Sequence, residues 1–213
     1  MAHFYRLTKI PEIHISEKTL VLGYSGSGKT TLMQNILYNY KNKIPIICID
    51  TIGGIFGSKP PRYDYQGEVE TYNEFKPALT YHFLQGGLGE KKFEELFLKI
   101  IRFGKPLYVI VDEVDAYMSV YKMPRWFNVW AQQSRNYDSG GIFSARRIGA
   151  INKHFFGAVQ KVVLFKLSLE NDLAYLSSST GVDFFREAYT LKEHQYKILD
   201  LRTSTWTEPR VMM

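Results

Sequence analysis

Residues 23–30 read GYSGSGKT, between an apolar strand, Thr19–Leu22, and a helix that begins near Lys29. In this setting Gly23, Gly26 and Gly28 are expected to take φ > 0 and turn backbone N–H groups inward around a phosphate. The helix N-terminus adds partial positive charge at the same point. The octapeptide matches G-x-x-x-x-G-K-[ST], in which Lys29 reaches the β- and γ-phosphates and the Thr30 hydroxyl ligates Mg²⁺. Tyr24, Ser25 and Ser27 complete the loop, and Thr31 is placed for the α-phosphate. The candidate ligand is a nucleoside triphosphate with its Mg²⁺. The alternative is a glycine-rich turn that carries Lys and Thr by coincidence. Binding alone does not specify hydrolysis, since some chains with this loop pass the phosphoryl group to a metabolite.

Around the loop, short apolar runs alternate with helix-period segments. Leu32, Met33, Ile36, Leu37 and Tyr40 follow at helical spacing, and Ile44–Asp50 (IPIICID) reads as a strand covered on both faces. Residues 51–77 are rich in Gly and Pro and read as a loop-rich insertion. Tyr81–Leu84 reads as a short strand. Glu90–Phe103 is an amphipathic helix through Phe93, Leu96, Phe97, Ile100 and Ile101, stopped by Gly104. Further strands are expected at Leu107–Val111, Ile142–Ala145, Lys161–Leu167 and, last, Tyr196–Leu199. A helix is expected over Pro124–Tyr137, with Trp126, Phe127 and Trp130 on one side. Strands separated by helix-length crossovers predict an α/β fold with a mainly parallel central sheet and helices on both faces. At 213 residues the chain is expected to form a single domain, its core over about 18–200.

Residues 107–113 read LYVIVDE, an apolar strand opening onto two acids. Ligands of open α/β sheets sit at the carboxyl ends of the strands. There Asp112 would hold Mg²⁺, and Glu113 would polarise a water for attack on the γ-phosphorus. Asp115 follows on a turn, and a strand end capped by solvated acids is the plain alternative. A second acid favours an ATPase over a small-molecule kinase, which has no need of a water-activating carboxylate. The absence of N-K-x-D disfavours a GTPase. Beyond the next helix lies QQSRNYDSGGIFSARRIG, residues 132–149. Arg135 ends the helix, and Arg146 and Arg147 end the following strand. Two arginine positions beside one nucleotide edge are expected to neutralise charge in phosphoryl transfer, unless they are surface or phosphate-contacting side chains.

Composition narrows the partners. Lys+Arg 27 against Asp+Glu 21 gives a net charge of +6, a mild excess compatible with a polyanion. The single cysteine, Cys48, excludes an internal disulfide. Neither a membrane span nor a signal-peptide core is visible, so a cytoplasmic setting is expected. Aromatic residues make up 15% of the chain, for core packing or for base stacking. The segment Tyr117–Trp126 (YMSVYKMPRW) is the candidate stretch to face a polyanion such as nucleic acid. Lys122 and Arg125 would contact phosphates, and Tyr117, Tyr121 and Trp126 would supply aromatic surface. The alternative is a buried Trp126 and a merely solvated Lys122. Lys59, Arg62, Lys91 and Lys92 are further bases.

GYSGSGKT, LYVIVDE and the arginines in this order resemble the FtsK/HerA superfamily of P-loop ATPases. The resemblance is to the small genome-packaging ATPases of double-jelly-roll capsid viruses, over roughly residues 18–200. The family pattern R-x-x-G…Q-R-P is met here by Arg135…Arg146-Arg147-Ile148, with Asp138 where the family has glycine. Arg135 matches the trans-acting arginine finger and Arg146 stands at the sensor glutamine. A guanidinium cannot accept a hydrogen bond from attacking water, so Arg146 would contact the γ-phosphate instead. Downstream, VVLFKLSLENDLAYL resembles the family's strand and short acidic helix start. The resemblance implies ATP and Mg²⁺, a homo-oligomeric ring of five or six subunits and double-stranded DNA as track. It further implies a capsid or portal vertex protein as partner, in the host cytoplasm or associated with the virion. A helicase or conjugation-type pump, a nucleotide-gated assembly or export module, and a metabolite kinase are the competing functions.

Overall fold

β1 (Lys18–Leu22) is buried along its whole length and pairs in parallel on both sides, with β5 (Gly140–Ala145) and with β6 (Lys161–Phe165). The computed structural model describes residues 13–40, 43–51, 81–85, 89–167 and 169–212. Beyond β5 the parallel pairing continues through β4 (Tyr108–Val111), β2 (Ile46–Asp50) and β3 (Tyr81–Gln85). On the other side β7 (Gln195–Asp200) runs antiparallel to β6. The short strands β8 (Thr205–Trp206) and β9 (Arg210–Val211) pair antiparallel with β7. The order is β3-β2-β4-β5-β1-β6-β7-β8, with β9 also on β7. The sheet is therefore mainly parallel, as the alternating pattern predicts.

The continuous apolar runs follow from burial on both faces. Leu20 and Leu22 of β1, Val109 and Val111 of β4, and Val162 and Leu164 of β6 point to one face. There they meet α2 (Glu90–Phe103), α3 (Arg125–Gln133), α4 (Lys153–Ala158), α5 (Glu170–Thr180) and α6 (Phe184–Thr190). Val21, Tyr108, Ile110 and Val163 point to the other, against Leu32, Met33, Ile36 and Leu37 of α1 (Lys29–Tyr40). Aromatic side chains fill the thicker layer. Phe97 and Phe127 approach to 4.6 Å between ring centroids, Phe127 and Phe155 to 5.1 Å, and Phe143 and Phe155 to 5.0 Å. Core packing thus accounts for much of the aromatic content, and Tyr121 and Tyr189 are the large aromatics left exposed among the described residues.

The structure departs from the sequence pattern in places with local causes. The helix expected to reach Tyr137 stops at Gln133 and tightens into a 3-10 turn over Ser134–Tyr137. Tyr196–Leu199 is not the last strand, because β8 and β9 are two residues each, too short to show a period. All of the expected insertion 51–77 except Thr51 lies outside the described residues, and so do Lys59 and Arg62. Lys91 and Lys92 are exposed on the first turn of α2.

One buried charge stands out at the start of β1. Lys18 is 1% exposed, and its ammonium donates to Ser134 Oγ at 2.8 Å. Burial, with Arg135 nearby, pulls its pKa down to about 8 from the usual 10.5. The folded chain thus gives up this proton before the unfolded chain does. Below pH 8 both states carry it and the cost of the buried charge is fully present; between pH 8 and 10.5 the unfolded state holds more protons, so stability rises with pH. We expect Lys18→Met to be at least as stable as the parent at pH 7. Its advantage should shrink as denaturation is repeated up to pH 10, and a constant difference would contradict a depressed pKa.

Candidate active site

The loop leaves β1 at its carboxyl end. Gly23 does not take the positive φ expected of it; glycine is required there by crowding, since a Cβ would lie 2.5 Å from Ser27 Oγ and 2.7 Å from Phe165 Cβ. Gly26 and Gly28 do adopt positive φ, +83° and +111°. Tyr24 and Ser27 close the loop through Ser27 N donating to Tyr24 O at 3.2 Å, and Ser25 is exposed. Lys29 is buried, and its ammonium donates to the carbonyls of Gly23 at 2.8 Å and Tyr24 at 3.0 Å. Burial lowers its pKa, and Asp112 and Glu113 oppose that shift. Thr30 and Thr31 sit half-buried in the first turn of α1, which holds no acid. Ser27 Oγ is buried without a hydrogen-bond partner. An ammonium resting on loop carbonyls, an orphaned hydroxyl and an uncompensated helix N-terminus suit a triphosphate and its Mg²⁺.

The acids converge on this edge from the next strands. Asp112 N donates to Ile49 O at 2.9 Å, which extends the β2–β4 pairing by one residue. Its buried carboxylate accepts a hydrogen bond from Ser144 Oγ at 2.6 Å. Glu113 takes a left-handed conformation, φ 54° and ψ 59°, and starts a 3-10 turn over Val114–Ala116. This conformation costs a non-glycine residue on the order of 1 kcal/mol. The Glu113 amide donates to the same Ser144 Oγ at 2.9 Å. The Glu113 carboxylate forms an ion pair with Arg146. Burial raises its pKa, Arg146 lowers it, and Asp112 adds to the rise. Asp115 is half-buried, its pKa raised by burial, with one carboxylate oxygen lacking a partner.

Ser144 is the site residue that the sequence reading missed. It lies in an expected strand, but β5 falls between β1 and β4, an order that linear patterning does not disclose. A single hydroxyl thereby reaches both acids.

The arginines separate. Arg146 and Arg147 follow β5 onto the carboxyl edge, both exposed. Arg146 touches the candidate base, and Arg147 lines a cavity of about 490 Å³ with Gly149, Leu169 and Asp172. Arg135 does not share that edge. It belongs to the turn beginning at Ser134, beside Lys18 at the start of β1 and just ahead of Gly140 at the start of β5. A five-residue strand rising about 3.3 Å per residue puts the edges roughly 15 Å apart. The expectation of two arginine positions beside one nucleotide edge is therefore corrected within a single chain. Asp138, at the position of the family's glycine, has φ 51° and ends the turn in the left-handed region that aspartate tolerates better than most residues.

The expected DNA-facing stretch is also redrawn. Tyr117 is not surface: it is buried and stacked on Phe93, centroids 4.1 Å apart and planes 7° apart. Tyr121 is 97% exposed. Lys122 pairs with Glu90, and the Arg125 guanidinium lies over the half-buried Trp126 ring, 4.8 Å from its centroid. Both cations are at the surface and both are engaged by their own chain.

No protein-family model and no curated protein matches this chain. Its fold is similar to that of the genome packaging NTPase B204 from Sulfolobus turreted icosahedral virus 2 in complex with ATP-gammaS. The TM-score is 0.73 at 17% identity, over 94% of this chain and 100% of that one. B204, the DNA-packaging ATPase from Sulfolobus turreted icosahedral virus, gives 0.69 at 18% identity, over 92% and 97%. The cytoplasmic domain of the Thermomonospora curvata type VII secretion ATPase EccC gives 0.59 at 13%, over 91% of this chain and 24% of that one. The fold is that of P-loop NTPases, and these neighbours agree with the resemblance drawn from the motifs.

Ser144→Ala would leave the Glu113 amide without an acceptor and Asp112 without a donor. We expect a loss of about 1–3 kcal/mol in urea denaturation, largely restored by Ser144→Thr. An Ala variant as stable as the parent would remove Ser144 from this role.

Proposed function

We propose that this chain is an ATP hydrolase acting as a homo-oligomeric ring of five or six copies that drives double-stranded DNA into a viral capsid. The observation that carries this reading is the two-edged sheet. Lys29, Asp112 and Glu113 gather at the carboxyl edge, and Arg135 stands at the opposite edge, out of reach of its own cradle. A ring in which one copy's amino edge meets the next copy's carboxyl edge brings Arg135 to the neighbour's triphosphate. The contact is heterologous, and such contacts form a ring when the rotation between copies closes.

In this reading ATP enters the loop and the Lys29 ammonium exchanges the carbonyls of Gly23 and Tyr24 for β- and γ-phosphate oxygens. Thr30 and Asp112 would hold Mg²⁺, which when bound neutralises phosphate charge. Glu113 accepts a proton from water as its oxygen bonds to the γ-phosphorus and the bond to the β-phosphate oxygen breaks. Arg146 must leave Glu113 for the carboxylate to act, and the γ-phosphate is the anion that draws it away. Arg135 of the adjoining copy neutralises charge in the transition state. Arg147 remains at the rim of the edge.

The chain from the turn after Glu113 continues through Tyr121 and Lys122 into α3, which Arg125 opens, so a change at the base is carried toward this stretch. We assign it the contact with DNA, Lys122 and Arg125 meeting phosphates once released from Glu90 and Trp126. A capsid or portal vertex protein is the docking partner, in the host cytoplasm or on the virion. The likeness to a secretion ATPase supports a second reading, a nucleotide-gated export or assembly module. Phosphate release separates the two: duplex DNA stimulates the packaging motor and leaves the export module unchanged.

Glu113→Gln is expected to bind ATP normally while turnover falls at least about 100-fold. Lys29→Ala should be inactive alone and Arg135→Ala strongly slowed with measurable residual turnover, and a mixture of the two should recover turnover, since each supplies the part the other lacks. Failure to recover at every ratio would refute a finger in trans.

A further inference from the structure

We propose that Lys18 is a positioning residue for Arg135. Its buried ammonium holds Ser134 and thereby fixes the turn that presents the guanidinium to the next copy. This rests on the reading of Arg135 as acting in trans.

Lys18 opens β1 with its side chain on the face covered by α3 and is 1% exposed. Its Nζ donates to Ser134 Oγ at 2.8 Å, and Ser134 is itself fully buried. Among the described residues no carboxylate lies within ion-pair distance of this ammonium. Its backbone is fixed by Gln160: Lys18 N donates to Gln160 Oε1 at 2.8 Å, and Gln160 N donates to Lys18 O at 2.9 Å. The head of β1 is thus a rigid mount. Ser134 immediately precedes Arg135, and the turn closes behind it. Asp138 N donates to Arg135 O at 3.2 Å, and Ser139 N to Ser134 O at 3.0 Å.

An ammonium buried without a carboxylate is costly, and an apolar side chain of similar length fills such a place at lower cost. Packing therefore does not account for lysine at this position. What the lysine adds is a directional hydrogen bond to the residue that starts the arginine's turn. It also places a second positive charge near the guanidinium, with the mutual repulsion reflected in the direction of the Lys18 pKa. Arg135 is exposed at an edge whose expected visitor is the terminal phosphate of a neighbouring copy, while Lys18 stays buried behind it, and an anion at the edge relieves the repulsion. The same strand runs on into Gly23, so the mount for the arginine and the phosphate cradle are opposite ends of one element.

The test measures DNA-stimulated ATP turnover and thermal melting of the full chain as wild type, K18M, S134A, R135A and the double variants K18M/R135A and S134A/R135A. We expect K18M and S134A each to lower kcat about tenfold, with the KM for ATP changed less than twofold. K18M should melt no lower than wild type, so that activity falls while stability does not. Each double variant should turn over at the rate of R135A alone. The assignment is overturned if K18M keeps the wild-type rate, or if it lowers kcat by the same factor with Arg135 present and absent. A melting temperature that falls along with activity in K18M marks Lys18 as a packing residue and overturns it as well. R135A at wild-type turnover would remove the trans reading, and the role of Lys18 with it, a result distinct from failure of the Lys18 variants alone.

Discussion

Parallel pairing of β1 between β5 and β6 is the constraint from which the site follows. Parallel strands all end on one edge, so residues just past their carboxyl ends are brought together however far apart they lie in sequence. Gly23–Thr30 follows β1, Asp112 and Glu113 follow β4, and Arg146 follows β5. Burial of the sheet on both faces makes this register rigid, because a one-residue slip would exchange the side chains facing α1 for those facing the other five helices.

The edge is crowded with charge, and the chain controls it through short polar contacts. One serine hydroxyl orders both acids, donating to the Asp112 carboxylate and accepting the Glu113 amide. Glu113 sits in a left-handed conformation at the start of the following 3-10 turn, with its carboxylate paired to Arg146. Lys29 and Arg146 are each occupied by groups of the same chain, loop carbonyls in one case and Glu113 in the other. Both contacts are of a kind that a triphosphate replaces with stronger, doubly charged ones. In the proposed reading these cations stand near the place where phosphate charge would arrive.

The sequence disclosed most of this through local signals. The octapeptide, the strand ending in DE and the 3.6-residue period of α2 each carry their meaning within a few residues, and the strand before DE and the helix Glu90–Phe103 form as expected. What was not legible depends on strand order. Ser144 gains its role only because β5 lies next to β4, and Arg135 loses its place beside its own cradle because the turn before β5 is at the far edge. Gly23 shows the same limit: its motif position implied a positive φ, whereas the requirement comes from Ser27 and Phe165 packed against it. Tyr117 reads as one more surface aromatic until the stack with Phe93 is seen. Asp138 occupies the left-handed region, which aspartate tolerates better than most residues.

If the two edges of the sheet are the two halves of one composite site, an assembled particle will show it directly. The decisive measurement is an electron-microscopic reconstruction of the oligomer with Mg²⁺ and a non-hydrolysable ATP analogue. Nucleotide is expected at every junction between copies, its terminal phosphate touched by Lys29 of one copy and Arg135 of the next. Nucleotide bound far from any junction, or an Arg135 pointing away from every phosphate, would contradict the composite site.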